Sequence, residues 1–217
     1  EWIRVLYCYP ERITDSLLDV MAKEEKIVKY LDIPIQHCNK ELLRTMHRVG
    51  DRESLTALMK KIRERVPGII LRTTLIAGFP GETWEQFNEL AEFVREVRFD
   101  RLGCFAYSAE EGTPAAEMKG QVEEKVKQRR QEIIMEEQSQ IMAEKCGQMV
   151  GKVLPVLVEG YDRYAGSFFG RSPHDAPDID GKVFFSANAR SMNAGTIVPV
   201  QIIDSMECDL IGALVED

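Results

Sequence analysis

The segment from Arg72 to Thr83 has residue types that suit a ligand-binding turn at the end of a strand. It reads RTTLIAGFPGET, so an apolar strand-like run leads into a glycine-rich turn and then into a helix that Thr83 can cap. Gly78 and Gly81 let the backbone approach a ligand closely, and Pro80 stiffens the turn. No Lys-Ser or Lys-Thr follows, so the pattern is not that of a phosphate-cradling loop. A binding turn and a purely structural turn both remain open.

A second strand-like run ends in a similar polar segment, FAYSAEEGTP, at residues 105–114. Tyr107 and Ser108 are placed to line the same edge of a sheet. Glu110 and Glu111 are adjacent and point in different directions, so they make a poor acid–base pair and are typical of a solvated loop.

The three histidines offer no nucleophilic triad. We expect His37 at the end of a strand, His47 within a helix and His174 in a loop, and no Ser-His-Asp or Cys-His pairing can be argued from such positions. The five cysteines are Cys8, Cys38, Cys104, Cys146 and Cys208. None has the short spacing of a zinc site, a redox motif or an iron–sulfur cluster, so we interpret them as reduced thiols with structural roles.

The elements that must position these residues alternate between strands and helices. Apolar runs at 3–7, 30–35, 69–77 and 102–107 are separated by the length of a βαβ unit. Between them, helical periodicity runs from Asp51 to Val66 and again from Thr83, where Thr83 and Gln86 fit a capping box. Four such units predict an α/β fold, a partial (β/α) barrel of parallel strands with outer helices.

The second and third strands carry polar residues where an interior strand is normally apolar. Asp32 and Gln36 share one alternate face of the second strand, and Arg72 interrupts the third. Buried polar groups must be satisfied, either by each other or by a ligand in a wet cavity. An internal pair between Asp32 and Arg72 and a ligand cavity are therefore both open, and Pro34 predicts a bulge or an edge.

The predicted secondary structure changes from helices to short strands near residue 148, after a long polar helix predicted over 123–146. Five short strands are predicted at 153–158, 166–169, 182–185, 196–203 and 209–215, between Gly, Pro, Asn and Asp. This pattern predicts a small antiparallel OB-like β-barrel. The sequence thus predicts two domains, residues 1–148 and 149–217.

The charge and hydropathy of the sequence argue against a membrane or a nucleic acid as a binding partner. The 217 residues have a net charge of -8. No apolar run approaches the ~20 residues of a membrane span, so we expect a cytoplasmic protein with no membrane partner. Residues 149–217 hold five basic and ten acidic residues, a net charge of -5 that disfavours a phosphate backbone. Because Glu1 stands where a Met is expected, we interpret the chain as a fragment.

Three motifs in order, together with the C-terminal segment, resemble the radical SAM methylthiotransferase family. They are YLDIPIQH at 30–37, GFPGET at 78–83 and FAYSAEEGTPA at 105–115. The last 70 or so residues resemble the TRAM domain of that family. The segment FGRSPHDAPDIDG at 169–181 is most similar to the RimO-type branch, which modifies an aspartate side chain of a small-subunit ribosomal protein. The sibling MiaB-type branch modifies an adenosine in transfer RNA.

The resemblance implies an enzyme that binds S-adenosyl-L-methionine beside a 4Fe-4S cluster. In the family, reductive cleavage gives a deoxyadenosyl radical, and a second 4Fe-4S cluster assists sulfur insertion. The family's cluster-binding cysteine motifs are not in this sequence, so the metal ligands are expected outside this chain and the fragment alone is expected to be inactive. By position, we expect Gln36, Arg72, Gly78 and Tyr107 to contact S-adenosylmethionine, with Arg72 on its carboxylate.

The resemblance and the charge together suggest a basic ribosomal protein as substrate of a monomeric enzyme. Asp175, Asp178 and Asp180 cluster in one loop and are expected to bind that protein. The alternative for these aspartates is turn formation, their usual role beside Gly and Pro. Alternatives for the whole chain are a transfer-RNA methylthiotransferase and a non-catalytic binding module.

Overall fold

The computed structural model describes residues 2–187 and 192–215, which form two compact units. One unit comprises residues 5–138, and the other comprises residues 139–217 together with residues 1–4. The division falls within the long helix, ten residues before the boundary expected near residue 148. No helix in the described ranges is both long and apolar enough to span a membrane.

The first sheet has four strands in the order β1-β2-β3-β4. Its strands are β1 (Ile3–Val5), β2 (Ile27–Asp32), β3 (Ile70–Ala77) and β4 (Arg101–Ala106). The helices are α1 (Asp15–Lys23), α2 (Lys40–Thr45), α3 (Arg52–Arg65), α4 (Trp84–Val97), α5 (Pro114–Glu117) and α6 (Glu124–Gly147). The ladders β2–β3 and β3–β4 are parallel, which confirms the predicted partial α/β barrel.

Helix ends lie where the capping residues predict them. Asp51 caps α3 by accepting from the Ser54 amide, and Thr83 caps α4 by accepting from the Gln86 amide. The Gln86 side chain in turn accepts from the Thr83 amide, which completes the predicted capping box. His47, expected within a helix, instead follows α2 in a left-handed conformation with φ of +55°.

The two faces of β3 differ in burial, because alternate side chains point to opposite sides of a strand. Leu71, Thr73, Leu75 and Ala77 are buried, whereas positions 72, 74 and 76 are half-exposed. The half-exposed face continues onto β4, where Phe105 pairs with position 76 and is 62% exposed. The face of the sheet that bears the polar residues therefore remains accessible.

The second sheet is a closed five-stranded barrel in the order β5-β6-β7-β9-β8. Its strands are β5 (Val153–Asp162), β6 (Ser167–Arg171), β7 (Val183–Ser186), β8 (Ile197–Met206) and β9 (Asp209–Leu214). The predicted small barrel is confirmed, but it is not wholly antiparallel, because β7 and β9 pair in parallel. After β7 the chain forms β8, and β9 then turns back antiparallel to β8 and lies beside β7. As a result β7 and β9 run in the same direction. Alternate residues of the strands fill the barrel interior, among them Val156, Phe168, Phe185 and Ile202.

Candidate functional site

The carboxyl edge of the first sheet contains a break at Pro34. Regular pairing between β2 and β3 stops before Pro34, and an isolated bridge resumes it at Gln36. The hydroxyl of Thr73 fills the gap, donating to the Ile33 carbonyl at 2.9 Å and accepting from the Ile35 amide at 3.4 Å. The predicted irregularity at Pro34 is confirmed, and it explains why a buried threonine is present in β3.

Gln36 has a left-handed backbone, with φ of +70°. Its amide donates to the Thr74 carbonyl at 2.9 Å, and its carbonyl accepts from the Ile76 amide at 2.8 Å. A left-handed conformation is uncommon for a residue other than glycine and persists only where the surroundings enforce it. The sheet thus fixes Gln36 at its carboxyl edge, and its contact with S-adenosylmethionine stays a prediction.

Two cavities meet at this edge, with volumes of about 230 Å³ and about 370 Å³. Gln36 and Arg48 line both of them. Thr74 and Pro34 line the smaller cavity, and the larger one has apolar walls. These walls include Met46, Ile76, Phe79 and Met118. A mostly apolar cavity with a few polar groups is the usual form of a small-molecule site.

Arg48 supplies the cation of this site, and the sequence analysis did not identify it. Its Nη1 donates to the Pro34 carbonyl at 2.8 Å, and its guanidinium lies 5.2 Å from the centre of the Tyr9 ring. Within the described residues, its Nε and Nη2 have no hydrogen-bond partner, so part of the donor fork is available to a carboxylate. Arg48 has no distinctive signal in the sequence, because Arg44 and Arg52 lie four positions to either side of it and α2 was not predicted.

Arg72 faces the open side of the sheet but lines neither cavity. Its Nε lies 3.6 Å from Oδ1 of Asp32, whose Oδ2 accepts from the Tyr7 amide at 3.2 Å. The internal acid–base pair considered as the alternative for Arg72 is therefore present. A contact between Arg72 and S-adenosylmethionine stays a prediction, and the geometry favours Arg48 for the carboxylate.

Gly78 is required by the way α6 packs over the turn. Its φ is +76°, and a Cβ at this position would lie 2.2 Å from Cγ of Lys127. Its amide donates to Oε2 of Glu82 at 2.7 Å. The structural role considered for this turn is thus supported at Gly78, while ligand contact there remains a prediction.

Glu82 is the buried centre of a network that joins three segments. Its side chain is fully buried, and Oε2 accepts from Nη1 of Arg130 on α6 at 2.5 Å in addition to the Gly78 amide. Its Oε1 lies 3.1 Å from Nε2 of His37, whose Nδ1 accepts from the Asn39 amide at 2.9 Å. Because Nδ1 is an acceptor, the imidazole carries its hydrogen on Nε2 and donates to Glu82. His37 therefore anchors the loop that bears Gln36. Both of its ring nitrogens are engaged in this role, so it is not positioned to act as the general base of a nucleophile.

Tyr107 lies in an apolar cluster behind the larger cavity. Its ring is 8% exposed and meets Phe79, a wall of that cavity, edge-on at 5.3 Å. Its carbonyl accepts from Nζ of Lys127 at 3.0 Å, while its hydroxyl is buried and has no hydrogen-bond partner within the described residues. Tyr107 therefore supports the cavity through Phe79, and a direct ligand contact stays a prediction.

The three aspartates expected to bind a partner protein differ in accessibility. Asp175 is buried and accepts from the hydroxyl of Ser172 at 2.6 Å, and Asp180 accepts from the Ala176 amide at 2.8 Å. Asp178 is exposed and has a left-handed backbone. The turn-forming alternative accounts for Asp175 and Asp180, so only Asp178 presents its carboxylate fully to solvent.

The cysteines form no disulfide within the described residues and do not gather into a metal site. In residues 2–187 and 192–215, no group of three or more potential metal ligands occurs. Burial raises the pKa of the Cys104 thiol to about 12, with a further contribution from Glu82. Burial likewise raises the pKa of Cys38 far above its ordinary value. These thiols are therefore protonated at neutral pH, as structural cysteines are.

Comparison with known families identifies both parts of the chain. Residues 1–94 match the family model of the radical SAM superfamily, and residues 150–215 match the model of the TRAM domain. These two matches lie in the parallel sheet and in the small barrel, respectively.

Several known relatives of this chain are ribosomal protein uS12 methylthiotransferases. A ribosomal protein uS12 methylthiotransferase RimO of Lachnoclostridium phytofermentans is 50% identical over 98% of this chain, and that of Pelotomaculum thermopropionicum is 50% identical over 99%. The chain covers 48% of each, so it spans about half the length of these relatives. Among solved structures, coproporphyrinogen III oxidase HemN of Escherichia coli is 25% identical over 70% of this chain and 34% of that one, with a TM-score of 0.48. Over nearly its whole length the chain is similar to the RimO-type branch of the radical SAM methylthiotransferase family.

Proposed function

We propose that this chain is the C-terminal half of an enzyme that methylthiolates an aspartate side chain of the ribosomal protein uS12. The observation that carries the proposal is the 50% identity to uS12 methylthiotransferases over 98% of the chain, across both the parallel sheet and the barrel. The alternative is a non-catalytic binding module in which the partial barrel supports the small barrel, and failure of a protein with intact clusters to modify uS12 would favour it. We also propose a cytoplasmic location, because the proposed substrate is a ribosomal protein.

The family implies S-adenosylmethionine, and the cavities around Gln36 fit it. A methionyl carboxylate requires a fork of donors, which Arg48 offers, and an adenine requires apolar walls, which Ile76 and Phe79 provide. Gln36 and Thr74 add hydrogen-bonding groups beside the smaller cavity. When bound, S-adenosylmethionine supplies hydrogen abstraction from the substrate carbon and the methyl group of the product. This chain's residues bind and orient it and exclude water from the apolar side.

The described residues do not fit a 4Fe-4S cluster, because they offer no set of three ligands. We propose that the enzyme holds two such clusters through cysteines outside this chain. This chain then contributes the wall of the cofactor cavity and the barrel. By itself it is expected to bind ligands but not to turn over substrate.

A basic protein fits the charge of the barrel region better than RNA does. Residues 149–217 carry a net charge of -5, which repels a phosphate backbone and attracts a cationic surface. Asp178 is placed to contribute to this attraction, since its carboxylate is exposed. Transfer RNA, the substrate of the sibling branch, is the alternative that the experiment must exclude.

The test uses the longer protein that contains this chain, reconstituted anaerobically with iron and sulfide. Purified uS12 and unmodified transfer RNA are incubated separately with S-adenosylmethionine and a reductant, and the products are measured by mass spectrometry. We expect one hydrogen of a uS12 aspartate to be replaced by a methylthio group. Modification of an adenosine instead, or of neither substrate by a protein with intact clusters, would overturn the proposal.

A further inference from the structure

The barrel has a cavity that neither the cofactor site nor the acidic loop uses. It has a volume of about 470 Å³ and lies between the β5–β6 turn, the outer side of β7 and the β8–β9 turn. Its apolar walls are Phe184 and Ile211, and Met206 at its edge is 62% exposed. A volume of this size accommodates a ligand or one or two side chains of a partner.

The charged residues that line this cavity are both acidic. Asp162 and Asp209 lie in the two turns that flank it, and no Lys or Arg is among its described lining residues. Oδ1 of Asp162 accepts from the Tyr164 and Ala165 amides, and Oδ1 of Asp209 accepts from the Lys182 amide at 2.7 Å. Each carboxylate is therefore held through one oxygen, and within residues 2–187 and 192–215 its second oxygen accepts no hydrogen bond.

A cationic side chain is the group that this arrangement suits best. The stem of a lysine or arginine packs on apolar and aromatic walls while its charged end reaches a carboxylate. The barrel itself contains a lysine packed on an aromatic ring, since Nζ of Lys182 lies 4.8 Å from the centre of the Phe169 ring. Phosphate groups of RNA would meet two carboxylates and no cation.

We propose that this cavity, bounded by Phe184, Met206, Asp209 and Asp162, docks a lysine- or arginine-bearing apolar segment of a basic protein. The inference rests on the proposed function for the partner's identity, and it moves the main contact away from the loop of Asp175 and Asp180, whose carboxylates are engaged in turns. Neighbouring Tyr164, fully exposed at the tip of the β5–β6 turn, adds contact area beside the cavity.

The first test measures peptide binding to the full 217-residue chain by NMR. The probes are acetyl-Lys-Leu-Arg-Leu-Lys-amide, its neutral counterpart with norleucine and citrulline, and a single-stranded oligouridine. We expect the basic peptide to shift the amides of Phe184, Met206 and Ile211, with affinity that falls as salt rises. Equal binding of the neutral peptide, shifts confined to residues 172–181, or displacement of the peptide by the oligouridine would overturn the proposal.

Matched variants separate the cavity from the rest of the barrel surface. Met206→Ala should weaken peptide binding, whereas Ile203→Ala should not, although Ile203 is on the same strand, is 56% exposed and does not line the cavity. Asp209→Asn should weaken binding by about threefold while retaining its bond to the Lys182 amide, and Asp204→Asn should leave binding unchanged. Equal losses in a variant and its control would contradict the assignment.

The docking site and the proposed function fail in different ways. If the longer enzyme modifies uS12 with the same KM when Met206→Ala and Asp209→Asn are introduced, the cavity is not the docking site and the function stands. If the basic peptide binds with the predicted variant pattern but uS12 is not modified, the function is wrong and the site belongs to another basic partner.

Discussion

Removal of the buried Glu82 carboxylate should destabilise the unit of residues 5–138 by about 3–5 kcal/mol, because it leaves an uncompensated buried charge on Arg130. Glu82→Ala also removes the acceptor of the Gly78 amide at 2.7 Å and of His37 Nε2 at 3.1 Å. Only the bond from Nη1 of Arg130 to the Glu82 carbonyl, at 3.0 Å, would remain. At about 2–4 °C per kcal/mol for a unit of this size, Tm should fall by roughly 10 °C.

Urea denaturation of the chain, followed through Trp84 fluorescence in a Trp2→Phe background, measures this unit alone, because the two tryptophans belong to different units. The matched control is Glu132→Ala, which breaks an exposed pair with Arg129 on the same helix and should cost under about 1 kcal/mol.

A double-mutant cycle tests the cause of the loss. Arg130→Ala should also be strongly destabilising, and the double variant should lose clearly less than the sum, since no unpaired charge remains. A loss for Glu82→Ala as small as that of the exposed control, or strictly additive losses, would refute the role given to this network.

Three further predictions concern the turn, the cofactor cavity and the thiols. Gly78→Ala should cost at least about 2 kcal/mol in urea unfolding, because Lys127 blocks its Cβ, whereas Gly81→Ala, with φ of +83° and open space, should show the backbone strain alone. Arg48→Met should weaken S-adenosylhomocysteine binding to the longer protein about tenfold by calorimetry, since a charged donor to the carboxylate is lost; unchanged affinity would exclude Arg48 from the site. Above pH 9, stability should fall with rising pH, because the folded state keeps a proton on Cys104 up to a pKa of about 12 while the unfolded thiol loses it. Cys104→Ala should make this decline shallower, and an identical slope would contradict the raised pKa.

Local patterns were sufficient to predict most elements of this protein. The capping box at Thr83 and Gln86 and the cap at Asp51 depend on residues three apart, so their helices begin where the sequence indicates. Alternating apolar residues and turn residues predicted the five barrel strands. The motifs at 30–37, 78–83 and 105–115 and the resemblance they carry required no tertiary information.

The site depended on contacts between residues far apart in sequence. Only the structure shows that Arg72 pairs with Asp32, and only the structure shows that Gly78 is needed because Lys127, 49 positions away, packs against it. Arg48 joins the cavity because the break at Pro34 and the end of α2 bring it there, and neither feature has a strong local signal.

The sequence by itself determined most of the elements, the resemblance to a family and the acidic charge of the barrel region, because these follow from residue type and short-range spacing. Only the tertiary structure decided which polar side chains are hydrogen-bonded within the protein and which remain available to a ligand. Asp175 and Asp180 form turns, Glu82 joins three segments, and Asp162 and Asp209 flank a cavity. The physical reason is that a polar side chain's role is set by its hydrogen-bond partners, and those partners are brought to it by the packing of distant elements.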